Sequence, residues 1–275
     1  MHPVFRHVLF GVLVTLLPAV TLAADPQDAI LQAIGVDEKP GAQVPLDLPF
    51  TDAAGKSVRL GDYLRDGPAI LTLNYYTCPM LCPLMFRGLA ATMAEVKDLS
   101  PSKDYRVVTV SIDPEEIPEI VRAKANESHS LVPGLKDPDS RWPFLYGSAE
   151  SIRRVTEAVG YRYKKVGTSF AHPSAQIVLS PGGKVSRYLY GIDIPPRDFK
   201  LALLEAADGK IGASSAKNAI LLYCFHYDPV GRKYSLVAMN VMKLAGAVTV
   251  ALLGGLLAVL WVRYGRKGKP TEKGE

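Results

Sequence analysis

The segment Ala69 to Tyr75 (Ala-Ile-Leu-Thr-Leu-Asn-Tyr) has strand length and runs straight into two thiols, Cys78-Pro-Met-Leu-Cys82-Pro83. That junction constrains the fold more than any other feature of the chain. A central strand must leave its sheet and enter a helix where two cysteines bracket three residues. If Pro79 starts the helix, Cys78 and Cys82 stand at i and i+4 on one helix face. Both sulfurs then lie near a helix N-terminus, where unpaired N–H groups favour thiolate over thiol. Such a pair can close a disulfide or grip a soft metal ion.

The rest of the chain reads as an α/β domain built around that junction. Val44 to Phe50, a turn at Asp52-Ala-Ala-Gly55 and Ser57 to Leu60 predict a β-hairpin. Cys82 to Leu99 has helical spacing, with Leu84, Leu89, Met93 and Val96 as its expected buried stripe. Tyr105 to Ile112 predicts a second strong strand and Ile117 to Ala125 a helix. After a loop comes the short apolar run Phe144-Leu-Tyr146. Ser148 is an N-cap candidate for a helix reaching Val159. Ala175 to Leu179 and Lys184 to Tyr190 flank Ser-Pro-Gly-Gly183, a hairpin signal, and Pro196 to Ala207 predicts the last helix of the domain. The expected order is a β-hairpin, then βαβα, then ββα.

Both ends of the chain carry addressing information. Arg6 and His7 precede an apolar run from Val8 to Val20 and then Thr-Leu-Ala-Ala24, the pattern of a cleavable signal peptide over residues 1–24. Leu244 to Val262 is nineteen residues without a charge, long enough to cross a membrane. Trp261 stands at its end, followed by Arg263, Arg266, Lys267, Lys269 and Lys273. That order predicts a single transmembrane helix over 241–263 and a cytoplasmic basic tail over 264–275. The expected divisions between them are a leader over 25–42, a domain over 43–210 and a membrane-proximal segment over 211–240. The globular part would then face the periplasm from a bacterial inner membrane. The formal charge of +5 does not point to nucleic acid, because residues 25–240 hold 25 Lys+Arg against 25 Asp+Glu. Three cysteines are too few for a disulfide scaffold.

Two thiolates at this spacing leave room for a third donor, and two thiolates with an imidazole suit Cu(I). Zinc would ordinarily take a fourth protein ligand. The best third donor is His172, in Thr168-Ser-Phe-Ala-His-Pro-Ser174, immediately before a predicted strand. A structural disulfide, a redox-only pair and a hydrogen-bonded loop histidine are the plainer readings of the same residues. His129, in the polar run Asn-Glu-Ser-His-Ser130, reads as a solvated loop residue, and Met80 as a rim side chain. Cys224 and His226 alternate in a predicted strand over Tyr223 to Asp228, where a shared face could form a second, membrane-proximal metal site.

The strand–Cys-x-x-x-Cys–helix layout is similar to that of thioredoxin-like proteins, whose cysteine pair is usually one residue closer. Residues 43–208 resemble the SCO/SenC family of membrane-anchored, thioredoxin-fold copper chaperones of cytochrome c oxidase assembly. The resemblance rests on Cys78-Pro-Met-Leu-Cys-Pro83, on Ser111-Ile-Asp-Pro-Glu115, and on His172 followed by a strand, Pro-Gly-Gly183 and Tyr188-Leu-Tyr-Gly191. It implies one copper ion held by Cys78, Cys82 and His172. It also implies an oxidase subunit with a copper site as recipient, and an upstream copper chaperone as a further partner. The alternative function is a thiol–disulfide oxidoreductase using Cys78 and Cys82 on apo-oxidase or other exported proteins. A metal- or redox-sensing interaction protein is a third. The chain departs from the family in three places. Met80 and Ala171 stand where the family often has aspartate, and the expected anchor is C-terminal where many members have an N-terminal one.

Overall fold

The computed structural model describes residues 26–78, 81–208, 215–228 and 231–265. The expected signal peptide, Pro79, Met80, the division at 210–211 and the tail beyond 265 lie outside the described residues. The described residues open with helix α1 (Pro26–Ala33) and strand β1 (Gly35–Val36), so the expected leader carries structure of its own. The first hairpin is β2 (Pro49–Asp52) and β3 (Ser57–Arg59), shorter at its start than predicted. The residues before it are held elsewhere: Gln43 bridges Lys184, and the Val44 N–H donates to Gly183 O.

Next come β4 (Ala69–Asn74), α2 (Leu81–Glu95), β5 (Arg106–Ser111), α3 (Pro118–Ser130), a short α4 (Pro138–Arg141), β6 (Phe144–Tyr146) and α5 (Ala149–Ala158). Ser148 caps α5 as predicted, its hydroxyl accepting from Ser151 N–H. Short pieces follow: β7 (Tyr161–Arg162), β8 (Lys164–Val166) and β9 (Ser169–Ala171). They lead into the hairpin β10 (Ala175–Leu179) and β11 (Val185–Tyr190), and then α6 (Pro196–Ala206). One seven-stranded sheet runs β11-β10-β4-β5-β6-β2-β3. β4, β5 and β6 are parallel, and the flanking pairings are antiparallel. The parallel pairs require crossovers, which α2 and α3 supply. The result is a mixed sheet flanked by helices, a thioredoxin-like α/β fold, with β4 an interior strand whose six residues are all buried.

Three expectations need correction. Leu84 is 46% exposed; the buried face of α2 is Cys82, Met85, Phe86, Leu89, Ala90 and Met93, a different phase of the same periodicity. Leu89, Met93 and Val96 are buried as expected. Helix α3 runs past Ala125 to Ser130, so His129 belongs to a helix rather than a solvated loop. Its ring packs on Trp142 and Phe144, with Nε2 2.8 Å from Trp142 O. The predicted strand over Tyr223–Asp228 is divided: α7 (Ser215–Cys224) ends at the cysteine, and β12 (Phe225–Asp228) starts after it.

β12 pairs with β13 (Lys233–Leu236), and this hairpin docks on the domain. Tyr234 donates its hydroxyl to Glu205 at 2.5 Å, and Glu205 is ion-paired with Arg187. The Arg187 guanidinium stands over the Tyr227 ring. The final helix, α8 (Ala238–Gly265), is the one helix among the described residues long and apolar enough, by length and composition, to cross a membrane.

Candidate metal centre

β4 delivers the chain to the dithiol. The ladder to β10 ends at Gln176↔Thr72, and beyond Asn74 the chain turns through Tyr75 and Tyr76, with Cys78 N–H 3.4 Å from Tyr75 O. Glu116, buried, ties this turn to the next strand: its Oε1 accepts from Tyr76 N–H at 2.7 Å and from Ser111 Oγ at 2.6 Å. Cys82 is the second residue of α2 and 1% exposed; Cys78 precedes the described helix and is 8% exposed. All three cysteines of the chain are thiols.

The third expected donor arrives from the opposite side. β9 ends at Ala171, and His172 follows in the short link to β10. Its Nε2 lies 3.7 Å from Cys82 Sγ, across 90 residues of sequence. Phe170 and Tyr75 pack at 5.3 Å between ring centroids, and Tyr75 meets the His172 ring edge-on at 5.9 Å. A cleft of about 350 Å³ opens beside these groups, lined by Ile34, Tyr75, Cys78, Leu81, Ser169, Phe170, Ala171 and His172. Ala171 puts a methyl group on the cleft wall.

Burial dominates the electrostatics. It pushes the Cys82 thiol well above its ordinary range, and the neighbouring Cys78 pushes in the same direction. At Cys82 burial therefore works against the thiolate that a position near a helix N-terminus would favour. Burial lowers the His172 pKa, with the Pro173 carbonyl opposing it in part, which favours the neutral imidazole. A neutral ring offers one nitrogen lone pair, as a metal ligand must. Burial also raises the Tyr75 hydroxyl, and its contact with Cys78 raises it further.

Tyr161 had no signal in the sequence beyond a preceding glycine. The residue is 3% exposed, and its hydroxyl lies 3.0 Å from Leu73 O, 2.7 Å from Pro173 O and 3.0 Å from His172 Nδ1. The structure therefore joins Cys82, His172 and Tyr161, with Cys78 beside Cys82 on the cleft wall. Among the described residues, no three His, Cys, Asp or Glu side chains form a closed metal cluster. Cys224 and His226 do not share a face: the cysteine is buried at the end of α7, and the histidine is exposed on β12.

These elements define a class: a thioredoxin-like protein bearing two thiols and a histidine at one end of its sheet. A family model described as SCO1/SenC matches residues 37–201, and the chain belongs to that family. Among solved structures, a protein of Aquifex aeolicus VF5 described as a candidate electron transfer protein is 27% identical at a TM-score of 0.55. The match covers 62% of this chain and 95% of that one. A second from the same organism, described as a candidate electron transport protein, is 25% identical at 0.53, covering 62% and 99%. A SCO1/SenC family lipoprotein from Bacillus anthracis str. Ames shares the fold at 21% identity and a TM-score of 0.50, covering 63% and 100%. No curated protein sequence matches the chain.

Proposed function

We propose that this protein is a membrane-tethered copper carrier that takes one Cu(I) through Cys78, Cys82 and His172 and passes it to a copper centre of cytochrome c oxidase. The observation that carries this reading is the approach of His172 Nε2 to Cys82 Sγ at 3.7 Å, with Cys78 four residues away on the cleft wall. Two sulfur donors and a neutral imidazole form a soft, low-coordinate set that Cu(I) favours. Cys78, already beside the Cys82 thiol, would complete the set. Loading then displaces thiol protons, so metal and proton compete for the same sulfurs. A site on an open cleft lets a recipient's ligands reach the metal and exchange with these three. The apolar helix α8 supports a tether, and the basic residues after it support a cytoplasmic C-terminus with the site in the periplasm.

A redox reading is favoured by the two Aquifex aeolicus neighbours, described as candidates for electron transfer and transport. In it, Cys78 and Cys82 exchange a disulfide with a target protein and His172 is dispensable. Cells carrying only a His172→Ala chain separate the two. The copper reading expects the oxidase copper centre to be lost while the purified variant still reduces disulfides. An intact copper centre in those cells refutes it.

A further inference from the structure

We propose that Tyr161 is a positioning residue that holds His172 as the tautomer with Nδ1 protonated and Nε2 bare toward Cys82. Its bearing on copper rests on the function proposed above; the tautomer assignment does not.

Two protons, the phenolic one and one on the imidazole, are shared among the Tyr161 hydroxyl, His172 Nδ1 and two carbonyl oxygens. The Tyr161 hydroxyl has Leu73 O at 3.0 Å, Pro173 O at 2.7 Å and His172 Nδ1 at 3.0 Å. Both carbonyls can only accept, so the phenolic proton goes to one of them, and the phenol oxygen keeps lone pairs for a donor. The donor within reach is Nδ1–H. Nδ1 also lies 3.2 Å from Pro173 O, a second acceptor. A nitrogen set between two oxygen acceptors carries the proton, and in a neutral imidazole the other nitrogen is then bare. That nitrogen is Nε2, which faces Cys82 Sγ.

The opposite tautomer costs more. A bare Nδ1 would face Pro173 O lone pair to lone pair, and relief would require the phenol to turn its proton to Nδ1. Leu73 O and Pro173 O would then lose their donor at a buried site. Among the described residues, neither carbonyl has an obvious replacement. The β10–β4 register ends at Gln176↔Thr72, one residue short of Leu73, and Pro173 brings no N–H to the loop.

The chain places Tyr161 with care for this role. Gly160, at φ +66°, ends the turn after α5, and Tyr161 pairs with Val36 in the β1–β7 ladder. The ring is thus fixed from the backbone. Its hydroxyl ties the strand that leads to the dithiol to the loop that carries the histidine. A histidine whose free nitrogen is fixed by the bond its other nitrogen makes is a preoriented ligand.

The test uses the full chain in detergent micelles, reduced and metal-free, labelled with ¹⁵N at histidine. His172 signals are identified by their loss in His172→Gln. Long-range ¹H–¹⁵N correlation of the wild type is expected to show a protonated Nδ1 and an unprotonated Nε2 for His172. In Tyr161→Phe, the two tautomers should mix, and Cu(I) affinity should fall about 10–100-fold, the usual cost of removing such a partner. A wild-type His172 protonated at Nε2 overturns the proposal, and this holds even if the variant fails to fold. An unchanged tautomer and unchanged affinity in a folded Tyr161→Phe also overturn it. Weak copper binding by the wild type, with the tautomers as expected, would instead reject the copper reading and leave the assignment of Tyr161 supported.

Discussion

Replacing Gly160 by alanine tests how the backbone sets up this end of the sheet. The glycine has φ +66°, and a Cβ built there would lie 1.9 Å from Asp37 O and 2.9 Å from its carbonyl carbon. The same two residues share a hydrogen bond, Asp37 N–H to Gly160 O at 2.8 Å. Asp37 therefore has to move, and the bond holding the chain after β1 against the start of β7 goes with it. A left-handed L-residue costs about 1–2 kcal/mol, and a lost backbone bond about 0.5–1.5 kcal/mol. Restricting the unfolded chain returns about 0.4–1 kcal/mol. The net expectation is a loss of about 0.5–3 kcal/mol, and a loss near the middle, about 2 kcal/mol, is a fall in Tm of about 6 °C for a chain of this size. Gly134→Ala is the control. It has φ +79° but open space around the added Cβ, so it retains only the backbone cost and the entropy gain. Thermal unfolding of both variants alongside the wild type decides the matter. If Gly160→Ala melts with Gly134→Ala, the close approach to Asp37 contributes nothing and the reasoning fails.

Three further outcomes follow from buried groups. Burial holds the Glu116 carboxyl above its usual range. Its neutral form thus suits the fold, and its contribution to stability is full below the ordinary carboxylate range and lost as pH rises through the folded pKa. Glu116→Gln, which keeps an acceptor for Tyr76 N–H, should be more stable than wild type near neutrality and converge with it in acid. A pH-independent difference in urea unfolding refutes this. Trp142, fully buried, donates Nε1–H to Thr109 Oγ1 at 2.9 Å, so Trp142→Phe should cost about 2–3 kcal/mol in lost bond and cavity. A loss within about 0.5 kcal/mol by urea titration, the scale of a neutral surface change, contradicts that packing. Oxidising Cys78 and Cys82 to a disulfide removes both sulfur donors, so the oxidised chain should take up no Cu(I) until it is reduced. Copper bound by the oxidised form would show that other residues hold it.

The elements legible in the sequence were those whose cause is local. β4 and β5 are strand-length apolar segments with no competing helical period, Ser148 is a cap side chain, and Ser-Pro-Gly-Gly183 is a turn by composition. The phase of α2 was not legible, because Leu84 and Met85 are equally apolar and only tertiary packing chooses Met85 for the interior. The end of α3 was masked by the polar run around His129, although Val121, Ala125 and Ser128 make a buried stripe at helical spacing. In the candidate site, the cysteine spacing could be read directly, and His172 was found from its place before a strand and from the family resemblance. Tyr161 could not be found that way. Its importance comes from three backbone and ring atoms of segments distant in sequence, which only the fold brings within reach of one hydroxyl.

The central claim is a three-ligand copper site, and the most direct test is an anaerobic titration of the reduced full chain with Cu(I) against a competing chelator, wild type beside His172→Ala. The account predicts one copper per wild-type chain and, for the variant, a loss of affinity beyond the roughly 10–100-fold that an outer partner costs. Binding of equal strength in both proteins, or none in the wild type, would contradict it.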